Sequence, residues 1–213
     1  MRVAAVADLH GWLPEVPPCD LLLLAGDLCP FTDHRVGFQA DWLDGPCRNW
    51  LEAQPAGAVV AIAGNHDYVF QQAPEHVPEL PWTYLEDSAS RVAGLALWGS
   101  PWTPWFYDWA FNAPRAGGEA FLAERYAGAS PDTDVLLLHG PPAGYGDLVD
   151  RGERVGSIAA LDLLDRVTPA LCIYGHIHEG RGAWRRGPTQ LANVAAVDAV
   201  YRPRSQPVAV FDL

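Results

Sequence analysis

Five short apolar runs in this chain each end directly in a cluster of polar residues, and that repetition constrains the fold more than any other feature. Arg2-Val3-Ala4-Ala5-Val6-Ala7 leads into Asp8-Leu9-His10, Leu21-Leu22-Leu23-Leu24-Ala25 into Gly26-Asp27, and Val59-Val60-Ala61-Ile62-Ala63 into Gly64-Asn65-His66-Asp67. Further on, Val135-Leu136-Leu137-Leu138 leads into His139-Gly140, and Leu171-Cys172-Ile173-Tyr174 into Gly175-His176-Ile177-His178. Runs this short and without polar alternation predict strands buried on both faces. Loops that leave the carboxyl edge of such strands converge on one crevice, so the polar clusters are expected to meet there.

Helical patterns fall between the runs. Residues 38–52 carry Trp42, Leu43, Trp50 and Leu51 on one face, with Gly45 and Pro46 breaking the segment into two pieces. Residues 118–127 predict a short helix stopped by Gly128 and Pro131, and residues 157–167 a helix capped by Ser157 and ended by Pro169. Residues 91–98 predict another strand, which makes Gly99 the start of a loop. Residues 189–213 hold two or three short β-like runs, expected to be antiparallel strands finishing a sheet. The alternation of strand and helix predicts an α/β fold with sheets covered by helices.

The 213 residues are expected to form one domain, 1–213, burying roughly 70% of the surface of the unfolded chain. The longest apolar runs are about six residues, too short to span a membrane. Asp8 and His10 interrupt the N-terminal apolar stretch before signal-peptide length, so a cytoplasmic protein is expected. The four cysteines include no CxxC pair and predict buried free thiols. The chain has no lysine, which excludes Schiff-base and P-loop lysine chemistry. Its 14 arginines face 26 acidic residues for a net charge of -12, which argues against an extended nucleic-acid partner.

Collected together, Asp8, His10, Asp27, Asn65, His66, His139, His176 and His178 form a mixed nitrogen and oxygen donor set suited to Mn, Fe or Zn. They exceed what one ion needs and suit two ions about 3.5–4 Å apart, with a bridging carboxylate and a shared hydroxide attacking phosphorus in line. In an extended strand exit residues two apart point the same way, so Asp8 with His10, and His176 with His178, are each expected to share a face. Asn65 and His66 should diverge, one toward metal and one toward substrate. Gly26, Gly64, Gly140 and Gly175 sit where a tight turn or close backbone approach favours a residue without a side chain. His34 and His76 lie in loop-like sequence and read as solvated surface.

Asp8-x-His10, Gly26-Asp27, Gly64-Asn65-His66-Asp67, His139 and Gly175-His176-Ile177-His178 resemble, in that order, the calcineurin-like metallophosphoesterase superfamily. The stretches GSPWTPWFYDWAFNAPR, LLLHGPPAGYGD and GHIHEGRG and the ending PVAVFDL are similar to the metallophosphoesterase-domain-containing proteins of animal brain and their bacterial relatives. The resemblance implies a two-sheet β-sandwich flanked by helices with a dimetal site at the strand ends. It implies that Asp8, His10, Asp27 and His178 hold the first ion and Asp27, Asn65, His139 and His176 the second, with Asp27 bridging. It also implies His66 as general acid. The chain departs from the superfamily pattern after Asp27, where it reads Leu28-Cys29-Pro30-Phe31-Thr32-Asp33-His34-Arg35, so Asp33 to Arg35 are not expected to orient His66.

The reaction implied is hydrolysis of a small phosphodiester such as a cyclic nucleotide. A phosphomonoesterase or protein phosphatase with the same site, and a non-catalytic metal-binding scaffold, are the alternatives. Residues 99–112 hold six aromatic side chains stiffened by Pro101 and Pro104. Trp98, Phe106 and Phe111 are assigned to the core, and one or two of Trp102, Trp105, Tyr107 and Trp109 to the substrate pocket. Arg115, Arg151, Arg154 and Arg181 are candidate phosphate or base contacts, each weighed against a plain surface charge. Substrate contacts are expected from Asn65, His66, Trp102, Trp105 and Arg115.

Overall fold

All five apolar runs form strands. The computed structural model describes residues 1–213. In one sheet, β1 (Arg2–Val6), β2 (Cys19–Ala25), β3 (Ala56–Ile62) and β4 (Thr83–Tyr84) run parallel, and β11 (Ala209–Asp212) closes beside β1 in the antiparallel sense. In the second sheet, β6 (Leu95–Ser100), β7 (Val135–Leu138), β8 (Leu171–Tyr174) and β10 (Thr189–Asn193) run parallel between antiparallel edges β5 (Ser88–Val92) and β9 (Gly182–Arg186).

Alternate side chains of each buried strand serve different layers, because successive Cβ atoms leave opposite faces. Leu21, Leu23 and Ile62 of the first sheet meet Leu97, Leu137 and Ile173 of the second in one apolar cluster. Their neighbours Leu22, Leu24 and Ala61 face helical segments, where Leu43, Leu51 and Phe70 complete a second cluster. On the far side Leu136, Leu138 and Cys172 pack under α4 (Gly118–Tyr126) and α5 (Ile158–Val167) through Leu122, Leu163 and Leu164. The result is a mixed α/β sandwich of two sheets flanked by helices, as expected.

Ser157 caps α5 by accepting a hydrogen bond from the Ala160 amide at 3.1 Å. Other expectations need correction. Pro46 does not break its helical segment: α1 (Val36–Trp42) continues through a π-helical turn at Leu43–Cys47 into α2 (Arg48–Glu52), the wider turn accommodating the missing amide proton. Gly99 lies inside β6 rather than opening a loop, because a hairpin at Ala93 (φ 52°) and Gly94 (φ 85°) splits the anticipated strand into β5 and β6. The C-terminal strands are not one antiparallel set: β10 runs parallel to β8, and β11 joins the other sheet.

The sheets meet where their parallel strands end. Ala7, just past β1, bridges to Ala195, just past β10. That junction brings the exits of β1, β2, β3, β7 and β8 to one crevice. No helix is long and apolar enough to cross a membrane. Cys29, Cys47 and Cys172 are buried free thiols, and Cys19 is half-buried.

Candidate active site

The polar residues that follow the five strands assemble into one cluster, buried except for the half-buried His176. Asp8, His10 and His178 offer ligand atoms within 4.8 Å of one another, as do Asp8, Asp27 and His139. The Asp27 carboxylate sits between the two halves: its Oδ2 lies 3.7 Å from His10 Nε2 and 3.4 Å from His139 Nε2. His178 Nε2 is 3.5 Å from Asp8 Oδ1. Asn65 Oδ1 is 2.9 Å from His139 Nε2, and the His176 and His139 ring centroids are 5.1 Å apart.

The backbone delivers these side chains by turns, not by pleat. Asp8 (φ 56°), His10 (φ 46°), Asp27 (φ 53°) and His176 (φ 67°) all adopt the left-handed conformation. Non-glycine residues do this rarely, and such strain collects at functional sites. The extended exit expected for Asp8 and His10, and for His176 and His178, is therefore incorrect. Asp8 and His10 reach one ligand group through curled backbone, and His178 itself opens a short 3₁₀ turn, His178–Gly180. Gly26, at φ 89°, is enforced twice over: a Cβ there would come within 2.6 Å of both the Ala63 carbonyl oxygen and His139 Nδ1. At Gly140 a Cβ would meet nothing nearer than Thr103 at 3.3 Å, a much looser constraint.

Outer hydrogen bonds orient the donors. His139 Nδ1 lies 2.9 Å from the Ala25 carbonyl and His178 Nδ1 3.2 Å from that of Asp198. A carbonyl only accepts, so each Nδ1 carries a proton, and it is the Nε2 lone pair that faces the cluster whenever the ring is neutral. Asp8 accepts the His176 amide at 3.0 Å. Burial pushes His10 and His176 down to about 3, leaving neutral rings. Burial also opposes charge on His139, but the Asp27 carboxylate outweighs it and raises this group to about 9. Asp27 itself is disfavoured by burial, yet His139, His66 and His10 hold it well below the usual carboxylate range.

These residues fit a divalent-metal centre. His10 Nε2 and His178 Nε2 are 3.2 Å apart, the separation of two imidazoles about 100° apart on one ion at roughly 2.0–2.1 Å. Asn65 Nδ2 and His10 Nδ1 are buried without hydrogen-bond partners, so the cluster's polar groups are not fully satisfied by the chain alone. The calcineurin-like phosphoesterase model matches residues 1–180.

The chain belongs to the calcineurin-like phosphoesterase family.

It is 32% identical to metallophosphoesterase domain-containing protein 1 of Homo sapiens and of Mus musculus, over 98% of this chain and 70% of each of those proteins. It is 36% identical to UPF0046 protein T07D4.2 of Caenorhabditis elegans, over 100% of this chain and 60% of that protein. Its fold is similar to that of TT1561 of Thermus thermophilus, with a TM-score of 0.57 at 16% identity, covering 91% of this chain and 88% of that one. As a calcineurin-like phosphoesterase it is a metal-dependent hydrolase of phosphoric esters, of a family that uses a dinuclear divalent-metal centre.

Beside the phosphoesterase cluster opens a cavity of about 740 Å³ bordered by Asp27, Asn65, His66, His176 and His178. Its outer wall is the aromatic loop: Trp105, Phe106, Tyr107 and Trp109, with Tyr201 and Ile177 opposite. Phe106 was expected in the core and instead is 37% exposed on this wall, since the loop after β6 swings clear of both sheets. Trp98 and Phe111 are buried as expected. Trp102 lies outside the cavity, wedged edge-on between Phe111 and Phe121 with its Nε1 donating to Asp87 at 3.0 Å. Arg115 also lies outside it, stacked over the far side of Trp105 at 4.8 Å. Of the other arginines, Arg151 borders the cavity, Arg154 pairs with Asp147, and Arg181 donates to the carbonyls of Ala195 and Gln206.

His66 is held by both its backbone and its ring. Its amide donates to Asp27 Oδ1 at 2.7 Å, its carbonyl accepts from Gln39 Nε2 at 2.7 Å, and its ring lies 4.6 Å from that of Trp109. Burial lowers its basicity, partly offset by Asp27. Three further residues have supporting roles that the sequence alone does not reveal. Asp67 accepts amides from Leu28, Cys29 and Gly64, tying the loop after β2 to the loop after β3. Gln39 lies in a predicted helical segment, and nothing local marks it as buried against His66. His34 is not solvated surface: its Nε2 is 3.0 Å from His66 Nδ1, because the turn before α1 folds over the loop after β3. Asp33 and Arg35 pair with one another instead. His76 is exposed, as expected.

Proposed function

We propose that this chain is a phosphodiesterase acting on small diesters such as cyclic nucleotides. The observation that carries the reading is the single Asp27 Oδ2 facing both His10 and His139 at the floor of an aromatic-walled cavity. In this reading Asp8, His10, Asp27 and His178 hold one divalent ion, and Asp27, Asn65, His139 and His176 the other, with Mn the metal of choice for the mixed donors. When bound, the ions supply Lewis-acid activation of water and of the phosphoryl group. Asp27 keeps both halves of the site in register, and Asn65, at the cavity border, would offer its amide to a bound phosphoryl group. His66, the candidate general acid, gives a proton to the departing oxygen.

Charge supports a diester over a monoester. Arg151 is the one guanidinium bordering the cavity, and it pairs with Glu153 while Asp150 and Glu179 border the same space. A monoester dianion would find little extra positive charge there, whereas the second ester arm of a monoanionic diester can lie along Trp105 and Trp109. A stacked base is worth about 1–3 kcal/mol, which supports a nucleotide. Free, mostly buried thiols support a cytoplasmic setting. The pairing of β11 with β1 supports residues 1–213 acting as one domain.

The test is turnover by the purified, Mn-supplemented chain of bis(4-nitrophenyl) phosphate, of 2′,3′- and 3′,5′-cyclic nucleotides, and of matched monoesters. Metal-stimulated turnover led by diesters is expected. Faster turnover of monoesters would transfer the reading to a phosphomonoesterase, and no turnover of any ester would end it.

A further inference from the structure

The contact between two histidines at the cavity edge assigns a task to one that lies far from the ligand cluster in sequence. His34 Nε2 lies 3.0 Å from His66 Nδ1, with ring centroids 5.1 Å apart. His34 is itself seated: its ring stacks on Tyr68 at 4.6 Å with planes 26° apart. The turn that carries it is closed by the Asp33–Arg35 pair and runs directly into α1, whose Gln39 grips the His66 carbonyl and the Val69 amide. One segment, residues 33–39, therefore holds His66 at two independent points, backbone and ring.

We propose that His34 is a positioning residue that keeps the His66 proton on Nδ1 and so makes Nε2 the nitrogen that delivers a proton to the leaving oxygen. The proposal rests on His66 acting as the general acid. When His66 carries both protons, its Nδ1–H donates to the Nε2 lone pair of His34. Cleavage of the phosphorus–oxygen bond sends the electron pair to the leaving oxygen, the Nε2 proton follows it, and His66 is left as the neutral Nδ1–H tautomer still bonded to His34. Without that partner either nitrogen can hold the remaining proton, and the ring can turn about its stem. His34 touches neither substrate nor metal ligand in this scheme, so its effect passes entirely through His66.

Two measurements test it. With Mn-loaded protein, kcat and KM are compared on methyl 4-nitrophenyl phosphate and methyl phenyl phosphate, which differ only in how much the leaving oxygen needs a proton. His66→Ala should lose ~10²-fold or more in kcat on the phenyl ester and far less on the nitrophenyl ester. His34→Ala should show the same selectivity at ~10-fold with KM unchanged, and His34→Gln, whose amide oxygen can accept the same proton, should recover most of it. A selective loss in His66→Ala with none in His34→Ala overturns the proposal. So does an equal loss on both esters in His34→Ala. If His66→Ala shows no selectivity, the general-acid reading falls and this proposal falls with it. The second measurement is independent of turnover: ¹⁵N NMR of histidine-labelled, metal-free protein should show His66 as the Nδ1–H tautomer, becoming a mixture in His34→Ala and returning in His34→Gln. An unchanged His66 tautomer in His34→Ala overturns the proposal even if the chain turns over neither ester.

Discussion

Asp27 Oδ1 accepts the backbone amide of His66 at 2.7 Å, so the carboxylate at the centre of the ligand cluster also fixes a histidine that borders the cavity. Its other oxygen faces His10 and His139. Asp27→Asn separates these duties, because an amide oxygen can still accept the His66 amide while the charge is gone. Groups that merely orient a metal ligand are worth 10–100-fold, so loss of the carboxylate proposed to serve both ions should cost ~10²-fold or more in kcat. Metal content is expected to fall from two ions per chain to one or fewer, measured by elemental analysis of the dialysed variant.

The aromatic wall makes a prediction about selectivity. Trp105 borders the cavity whereas Trp102 is wedged behind it. Trp105→Ala should raise KM for a nucleotide ester by roughly 5- to 150-fold, the value of one lost base stack, and leave a small chromogenic ester nearly unaffected. Trp102→Ala should lower Tm with KM unchanged. Steady-state kinetics on both esters, with a melting curve for each variant, decides the matter.

Gly26 and Gly94 share a positive φ, but only Gly26 is crowded. Gly94→Ala should show the backbone strain alone, and Gly26→Ala the same strain plus collision with the Ala63 carbonyl and His139. A residue forced into such a conformation costs about 1–3 kcal/mol, or roughly 2–12 °C in Tm for a chain of this size. The greater Tm loss, together with weakened metal binding, is expected for Gly26→Ala, and calorimetry with metal titration checks both.

The metal-free protein should have a stability maximum near pH 6.5. Burial lowers His10 and His176 to about 3, so between about 3 and 6.5 the unfolded chain binds more protons and stability falls as pH falls. His139, which Asp27 raises to about 9 against the effect of burial, favours the folded state below 6.5 and loses that contribution as pH rises through 9. Asp67, raised to about 6 by burial and Asp27, opposes the acid slope but does not cancel two histidines. Melting temperatures of chelator-treated protein from pH 4 to 10 check the shape. Adding Mn should extend stability at alkaline pH, where the ligands lose their protons and bind metal.

Thiol accessibility gives a further check. Burial pushes the Cys47 thiol up to about 12, and also raises Cys29 and Cys172. At pH 8 a thiol-reactive chromophore should label Cys19 alone in the native protein, slowly because partial burial raises that group too, and all four cysteines after denaturation.

The ligand-bearing frame was open to sequence reading because it rests on local signals. Uninterrupted apolar runs such as Leu21-Leu22-Leu23-Leu24 specify a strand covered on both faces, and the residue that ends each run inherits its position at the sheet edge. What escaped depended on where the connecting segments fold back. Nothing local to Thr32-Asp33-His34 says that this turn lies over His66, 32 residues away. The hairpin at Ala93-Gly94 was missed because alanine seldom adopts a positive φ, and Phe106 was misplaced because hydrophobicity alone does not tell a core ring from a cavity wall. The direction of Asp8 and His10 was anticipated from an extended geometry that the left-handed backbone replaces.

That left-handed backbone limits how this site can change over evolutionary time. Positions 8, 10, 27 and 176 admit few residues without strain, chiefly glycine, asparagine, aspartate and histidine. Of these, glycine alone has no metal-donor side chain. A lineage that gives up one ion is therefore channelled toward glycine at these positions, and away from alanine or a branched aliphatic residue. Replacement of a ligand by glycine at one of these four positions is the trace such a loss should leave.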